Sequence, residues 1–273
     1  MRVKFWGTRG SVPTPGRYTE KFGGNTACVE ISEGDERLIL DGGTGIRELG
    51  LEMANEPAGR ATMLFSHLHW DHIQGLPFFL PFFQPHWTFS IFAPSRFRAS
   101  LRKVLYKQMG PGVFPVNFAA LSATIGFETL SVKGAAIGPF VVTAFLQEHP
   151  GGSYAYRVRL GDLTVIYATD NELDPEGYPE AYEAFVKEVT GADLFIADGQ
   201  YTLEEYQEKR GWGHCALEYV ARVAADAGIG RVAITHHDPM RDDEALTELE
   251  KRMRKAMPST QVFFARDGLA VEV

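Results

Sequence analysis

The stretch "SHLHWDH", residues 66–72, decides the fold, and it directly follows the apolar run "TMLF". A short apolar run of this kind favours a strand that is buried on both faces. Three histidines and one aspartate then occur within six positions. In an extended segment alternate positions point to the same side, so His67 and His69 can bind one ion. Asp71 and His72 can then turn toward a second. The stretch therefore predicts a metal site at the end of a buried strand.

The two cysteines, Cys28 and Cys215, lie far apart and form no CxxC motif. They predict two free thiols, as in a reducing cytoplasm, and no disulfide. A structural zinc site is normally closed by four ligands, often thiolates. In this chain the histidine and aspartate candidates exceed four and no pair of thiolates accompanies them. This combination favours a dinuclear site with positions that are open to solvent.

The placement of the histidines extends this interpretation. Seven of the eight lie at or just past the end of a predicted strand, or at the start of a predicted helix: His67, His69, His72, His149, His214, His236 and His237. Asp170 likewise ends the predicted strand "LTVIYATD", and His214 is expected to open a helix after "GWG". Ligands collect at the carboxyl ends of strands in α/β folds. His86 stands apart and is expected to be a surface or packing residue.

The order of elements predicts an α/β fold. Short strands fill the first half, and strands alternate with helices in the second, which favours two packed sheets with helices outside. Since no low-complexity linker interrupts the chain, residues 1–273 are interpreted as one domain, with an aromatic and proline-rich insert at about 77–125. Prolines early in the insert exclude a regular helix there. Its aromatic rings either wall a pocket and stack a base, or form core or dimer surface.

The overall charge restricts the partners. The formal net charge is −8 and the pI is about 5.5. An acidic chain argues against stable binding of nucleic acid, which needs clustered lysine and arginine. The N-terminus lacks the apolar segment of a signal peptide, and no apolar stretch is long enough to cross a membrane. A cytoplasmic protein without membrane contact is therefore expected.

The chain resembles the metallo-β-lactamase superfamily, whose signature loop "SHLHWDH" matches. The resemblance implies an αββα sandwich of two mixed sheets with helices on the outer faces and metals at the sheet ends. The implied ligands are His67, His69 and His149 for one metal, Asp71, His72 and His236 for the other, and Asp170 as a bridge between them. His237 remains an alternative to His236. Asp41, in "LILDGGTG", resembles an acidic residue that orients the histidine loop, although a turn residue before glycines would look the same.

Four further segments are similar to the ribonuclease Z-like and PhnP-like phosphodiesterase branch: "GTRGSVPTPG", "GGNTACVEI", "EHPGGSYAYRV" and "GWGHCALEYVARVA". In that branch a histidine placed like His214 assists phosphate chemistry, while the alternative for His214 is a packing residue at a helix start. The chain lacks the long basic Gly/Pro-rich arm with which tRNA-processing members hold tRNA. Together with the acidic charge, this favours a small cyclic phosphodiester, such as a cyclic nucleotide or a cyclic ribose phosphate.

The resulting hypothesis is a phosphodiesterase that depends on two divalent metal ions, Zn²⁺ above all, with Mn²⁺ or iron as alternatives. Metal ions lower the pKa of bound water toward neutral, and Asp71 or Asp170 would accept or position its proton. His214 would stabilise the developing charge or assist the leaving oxygen. Two alternatives stay open: a lactone or thioester hydrolase on the same metals, and a non-catalytic metal-binding sensor. The resemblance also implies a homodimer.

Overall fold

The computed structural model describes residues 1–131 and 133–273, and the side chains of these except residues 95, 96, 98 and 99. Two seven-stranded mixed sheets form its centre. The strands are β1 Arg2–Gly7, β2 Cys28–Glu33, β3 Glu36–Leu40, β4 Gly59–Leu64, β5 Trp87–Pro94, β6 Thr124–Leu130, β7 Ala135–Ile137, β8 Phe140–Gln147, β9 Ser153–Leu160, β10 Leu163–Ala168, β11 Leu194–Asp198, β12 Arg231–Thr235, β13 Gln261–Phe264 and β14 Ala270–Glu272. The first sheet has the order β14-β1-β2-β3-β4-β5-β6 and the second the order β13-β12-β11-β10-β9-β8-β7.

Helices cover the outer face of each sheet. They are α1 Ile46–Met53, α2 Ser95–Gln108, α3 Pro179–Val189, α4 Leu203–Lys209, α5 Leu217–Asp226 and α6 Asp243–Ala256. In the described part of the chain, none of them combines the length and the apolar character that a bilayer crossing requires. Helices α1 and α2 pack on the first sheet, and α3 and α6 pack on the second.

Three apolar clusters hold these layers together, as expected for an αββα sandwich. The middle cluster joins the two sheets and contains Leu38 and Leu40 of β3. Ile39, between them, faces the opposite way into the cluster beneath α1. A central strand that is covered on both faces is apolar at every such position. The αββα sandwich of two mixed sheets is therefore confirmed.

The topology places many loops at one edge of the sandwich. Strands β3 to β6 are mutually parallel in the first sheet, and strands β10 to β13 are mutually parallel in the second. The carboxyl ends of parallel strands share an edge, which is where α/β folds assemble sites. The loops that follow β3, β4, β8, β10 and β12 carry the residues described below.

The segment of residues 77–125 is built into the first sheet. Strand β5 pairs with β4 on one side and β6 on the other, and α2 follows it. Two 3₁₀ turns, Leu76–Phe78 and Leu80–Phe83, replace a regular helix in its proline-rich part. Its rings at positions 79, 82, 87 and 89 are buried in the core. The segment is therefore a part of this layer rather than an addition to it, and these rings form core.

One expectation about a helix start is wrong. His214 was expected to open a helix, but α5 begins at Leu217. Residue Ala216 forms an isolated parallel bridge with Tyr201, and backbone hydrogen bonds join Tyr201 to both Cys215 and Leu217. This pairing holds the backbone before α5 extended, so His214 lies in a loop. Helices α1 and α4 were not predicted, although the capping box of Thr202 and Glu205 marks the start of α4.

Candidate metal centre

Asp41 directly follows β3, and its buried side chain holds the loop that follows β4. Its carboxylate accepts the backbone N–H of Ser66 at 2.7 Å and the Ser66 hydroxyl at 2.8 Å. The hydroxyl of Tyr167, from the second sheet, donates to it at 2.8 Å. The fourth donor is Nδ1 of His72, also at 2.8 Å. Because Asp41 accepts from Nδ1, Nε2 of His72 is the nitrogen left for a metal.

Three more imidazoles are oriented in the same way. The Nδ1 contacts are His67 to Ser66 Oγ at 3.0 Å, His149 to the Gly213 carbonyl at 2.8 Å, and His236 to Gln200 Oε1 at 3.1 Å. Each acceptor fixes both the tautomer and the plane of its ring. Each Nε2 is therefore the nitrogen left for the centre of the site, which is the arrangement typical of metal-binding histidines.

All seven residues expected as ligands are brought together in two overlapping groups. The first group holds His67, His69, His149 and Asp170, and the second holds Asp71, His72, His236 and Asp170; within each group the candidate ligand atoms lie within 4.8 Å of one another. Asp170 belongs to both. Its Oδ1 lies 3.6 Å from His67 Nε2, while its Oδ2 lies 3.1 Å from His72 Nε2. One carboxylate oxygen thus faces each group.

The residues fit divalent cations. The Nε2 atoms of His67 and His72 are buried without a hydrogen-bond partner. An unpaired buried polar atom is costly, and a bound ion would satisfy both. Within residues 1–131 and 133–273, the ion-pair partners of Asp71 and Asp170 are all histidines, with no lysine or arginine among them. Two buried carboxylates without a permanent cation leave negative charge that metal ions would balance.

The pKa values of the histidines shift in different directions in the two groups. Burial, the largest effect, lowers the pKa values of His67, His69 and His149, so these rings are neutral, as metal binding requires. Burial alone would also lower the pKa of His236, but Asp170 and Asp71 outweigh it and raise that pKa to about 9. The second group therefore attracts positive charge.

The backbone at the site is strained. In the described chain four residues other than glycine have a left-handed φ: Ser11 at 62°, Asp41 at 62°, Asp170 at 54° and His236 at 58°. Three of them were expected as site residues, and Ser11 donates its backbone N–H to Asp71 Oδ2 at 2.8 Å. Such conformations cost about 1–3 kcal/mol each and concentrate at functional sites. Here they turn the chain sharply where strands end, so that the side chains converge.

The structure separates the adjacent histidines 236 and 237. His236 Nε2 lies 3.3 Å from a carboxylate oxygen of Asp71 and of Asp170. His237 is fully buried in another direction, where its Nε2 donates to the Ala265 carbonyl at 2.9 Å and its ring stacks on Phe264. Burial lowers its pKa to about 3. His236 is therefore the histidine that faces the two groups.

His214 lies beside the centre with a partner that sequence reasoning missed. Its Nδ1 donates to Asp198 Oδ2 at 2.8 Å, and its ring stacks on His236 at 4.8 Å between centroids. Asp198 ends β11 in "ADLFIADG", the same kind of position as Asp170 at the end of "LTVIYATD". Its place at a strand end was the signal that would have found it. His86 is exposed beside Trp87 and belongs to none of the groups.

A buried glutamate holds the loop that carries His214. Glu172 accepts the Tyr206 hydroxyl at 2.6 Å and the backbone N–H groups of Gly211 at 2.7 Å and Gly213 at 2.9 Å. The Gly213 carbonyl in turn accepts from His149. Glu172 therefore positions one histidine of the first group and, through the same loop, His214. No sequence motif indicated this role.

Gly213→Ala is expected to lower both the metal affinity and kcat by about 10- to 100-fold, the range seen when residues behind metal ligands are changed. A Cβ at this position, where φ is 88°, would lie 2.2 Å from His149 Nδ1. The imidazole must then move and lose its contact with the Gly213 carbonyl. Metal titration and steady-state kinetics on the purified variant measure the effect.

Gly211→Ala is the matched control. Its φ is 85°, and an added Cβ meets nothing within 4 Å. It carries the same backbone strain without the clash, so its metal affinity should stay near that of the wild type. Equal losses in the two variants would attribute the effect to the backbone and contradict the role of the His149 contact.

Comparison with known proteins identifies the family. A family model described as a beta-lactamase superfamily domain matches residues 36–237. The chain is 26% identical to ribonuclease Z of Haloferax volcanii, with 100% of this chain and 95% of that protein covered. Its fold is similar to that of the metallo-beta-lactamase fold protein YhfI of Bacillus subtilis, with a TM-score of 0.73, 22% identity and coverage of 100% and 99%. A diphosphatase from the PhnP family aligns with a TM-score of 0.71, 15% identity and coverage of 100% and 97%.

The fold, the converging histidines and aspartates, and the family match agree. Several relatives are named as ribonucleases, which counts against the expectation that the chain has no nucleic-acid partner. The chain belongs to the metallo-β-lactamase superfamily of metal-dependent hydrolases.

Proposed function

We propose that this hydrolase is a dinuclear metallophosphodiesterase that acts on a small cyclic phosphodiester. The observation that carries the proposal is the position of Asp170 between two groups of ligand atoms, with the His214–Asp198 pair on the side of the second group. Two adjacent metals with a nearby acid or base are typical of phosphoryl hydrolysis.

His67, His69 and His149 would hold one ion, and Asp71, His72 and His236 the other, with Asp170 shared. We propose Zn²⁺, since imidazole and carboxylate ligands suit it, although they also suit Mn²⁺ and iron. When bound, two such ions lower the pKa of water toward neutral and offset charge on the phosphate oxygens.

The chain itself supplies orientation and proton transfer. Asp71 is held by the Ser11 backbone N–H, and neighbouring His72 and His236 outweigh burial to keep its pKa below the usual range. Its carboxylate is therefore available to accept a hydrogen bond from the attacking water. His214 is held at Nδ1 by Asp198, so Nε2 is the atom that would take up a proton and pass it to the leaving oxygen.

A second candidate is an endoribonuclease, because the curated relatives include ribonuclease Z and ribonuclease BN. The acidic chain, with a formal net charge of −8, favours the small substrate, since binding of a polynucleotide depends largely on clustered lysine and arginine contacts to its phosphates. The two candidates share the same centre and differ in what surrounds it.

A substrate panel tests the proposal on protein with its metal content measured. It contains bis-p-nitrophenyl phosphate, 2′,3′- and 3′,5′-cyclic nucleotides, cyclic ribose phosphate, an RNA with a 3′ extension, an acyl-homoserine lactone and a glutathione thioester. We expect turnover of the cyclic phosphodiesters above all others. Preference for the RNA would favour the ribonuclease, and preference for the lactone or thioester would replace phosphodiester chemistry altogether.

His214→Ala is expected to retain metals and to lower kcat by about 10²- to 10⁴-fold, as for other lost acid or base groups. The reason is that Asp198 holds His214 beside the centre, although His214 is not one of the seven expected ligands. Kinetics and metal analysis on the same sample measure both properties. A fall in metal content of the variant would make His214 a ligand and contradict its assignment as an acid.

A further inference from the structure

The four tryptophans of the chain divide into two kinds. Trp6 and Trp87 are buried, at 5% and 1% exposure, whereas Trp70 and Trp212 are 57% and 62% exposed. Trp6 donates to Glu30 through Nε1, and Trp87 stacks on a neighbouring phenylalanine. Within the described residues, neither exposed indole forms a ring pair or a cation contact. Tryptophan is highly buried on average, so two large unpaired indoles in solvent require a reason.

Both exposed tryptophans are next in sequence to a residue of the first group or to a residue that holds one. Trp70 lies between His69 and Asp71 in the chain, and Trp212 precedes Gly213. His149 connects the loops that carry these tryptophans, because its Nε2 lies 3.1 Å from His69 Nδ1. His149 in turn donates to the Gly213 carbonyl at 2.8 Å.

The same contacts define the open side of the centre. Within the first group His69 is exposed and His149 is half-buried, whereas His67 and Asp170 are buried. A substrate therefore approaches on the side of His69 and His149. Trp70 directly follows His69 in the chain, and Trp212 directly precedes Gly213, whose carbonyl accepts from His149.

The aromatic residues of the segment 77–125 do not offer an alternative surface at the centre. Five of its rings are buried in the core, at positions 79, 82, 87, 89 and 118. Phe78 is 61% exposed, but its ring packs edge-on against Phe114 at 5.6 Å and it belongs to a separate apolar patch with Leu51 and Leu80. Trp70 and Trp212 are exposed rings that adjoin His69 and Gly213 in the chain.

We propose that Trp70 and Trp212 bind a planar ring of the substrate, so that the preferred substrates are cyclic phosphodiesters of nucleosides rather than cyclic phosphates of a bare sugar. This inference rests on the proposed phosphodiesterase function. The centre takes the phosphate, while the indoles take the nucleobase by stacking, which tolerates any base because every base has a flat face.

The test compares 2′,3′-cyclic AMP with a cyclic ribose phosphate that lacks the base. In the wild type, kcat/KM should favour the nucleotide by at least about tenfold. Trp70→Ala and Trp212→Ala should each lower kcat/KM for the nucleotide by about 5- to 150-fold, mainly through KM, and leave the sugar phosphate unchanged. Trp70→Phe and Trp212→Phe should restore most of the loss.

Phe78→Ala is the matched control, because it removes an exposed aromatic ring outside the site, and it should change neither substrate. Equal losses on both substrates, or no loss on either, would overturn the proposal.

Binding separates this inference from the proposed function. Quenching of indole fluorescence and calorimetry measure the Kd of adenosine 3′-monophosphate against that of ribose 5-phosphate. Tighter, tryptophan-dependent binding of the nucleotide without hydrolysis of any phosphodiester would uphold the ring site and reject the phosphodiesterase. Hydrolysis of both cyclic substrates without dependence on the indoles would uphold the phosphodiesterase and reject the ring site.

Discussion

His69→Ala is expected to lower kcat for phosphodiester hydrolysis by about three orders of magnitude or more. The substitution removes one of the four candidate ligand residues of the first group. It also removes the imidazole whose Nδ1 lies 3.1 Å from His149 Nε2. Metals contribute several kcal/mol of transition-state stabilisation, and each 1.36 kcal/mol is worth a factor of ten in rate. Because the side chain is exposed, the free energy of unfolding of the metal-free protein should change by only about 0.5 kcal/mol. Kinetics and urea unfolding measure these two quantities, and metal analysis of the same sample determines the bound metal.

His86→Ala is the control for this variant. It also removes an exposed histidine, but one that belongs to no group of ligand atoms. Its kcat and metal content should equal those of the wild type. Unchanged turnover by His69→Ala, with both metals present, would remove His69 from the centre and with it the assignment of the first group.

Asp41→Asn is expected to lower both the stability and the metal affinity, although Asp41 itself lies behind the ligands. The carboxylate accepts four hydrogen bonds in a fully buried position. In asparagine an NH₂ group, which donates hydrogen bonds, replaces one carboxylate oxygen, which accepts them. This NH₂ group would face the O–H of Tyr167 and the N–H of His72, which are donors as well. A buried polar group that loses its partner costs about 1–3 kcal/mol, so the free energy of unfolding should fall by at least about 2 kcal/mol. His72 would also lose its fixed tautomer, which should weaken metal binding by about 10- to 100-fold.

Asp35→Asn removes the same charge at an exposed position in the turn between β2 and β3, and it should leave both quantities unchanged. Urea unfolding of the metal-free proteins separates the stability effect from the metal effect. If Asp41→Asn unfolds like Asp35→Asn and binds metal as tightly as the wild type, the four hydrogen bonds do not orient the loop.

The placement of histidines at strand ends predicted the edge of the sandwich where the site lies, and the resemblance to the superfamily implied which seven residues meet there; His237 has the same placement but faces Ala265 and Phe264. Strand β4 could be recognised from the mainly apolar run "TMLF" at its end, and the loop after it because four metal-binding side chains occur within six positions. His149, Asp170 and His236 follow other strands, and parallel strands bring such ends to one edge. The same reasoning applied to Asp198 would have found the partner of His214.

Other features depend on contacts between distant residues. The loop conformation of His214 follows from the bridge between Tyr201 and Ala216, which no local pattern reveals. Glu172 could not be assigned, because a buried glutamate that accepts backbone N–H groups resembles any surface glutamate in sequence. The aromatic residues of segment 77–125 could not be divided into core and surface until the pairing of β5 was known.

The long separation of the ligand residues along the chain has a consequence for biogenesis. Asp71 and His236 are 165 residues apart, yet their side chains lie 3.3 Å from each other. During synthesis the second group stays incomplete until β12 has left the ribosome and packed beside β11. Contacts of such length form late, since a large loop must close before they contribute. Loading with metal is therefore a last step that follows the assembly of both sheets, and an emerging chain can hold at most a partial site.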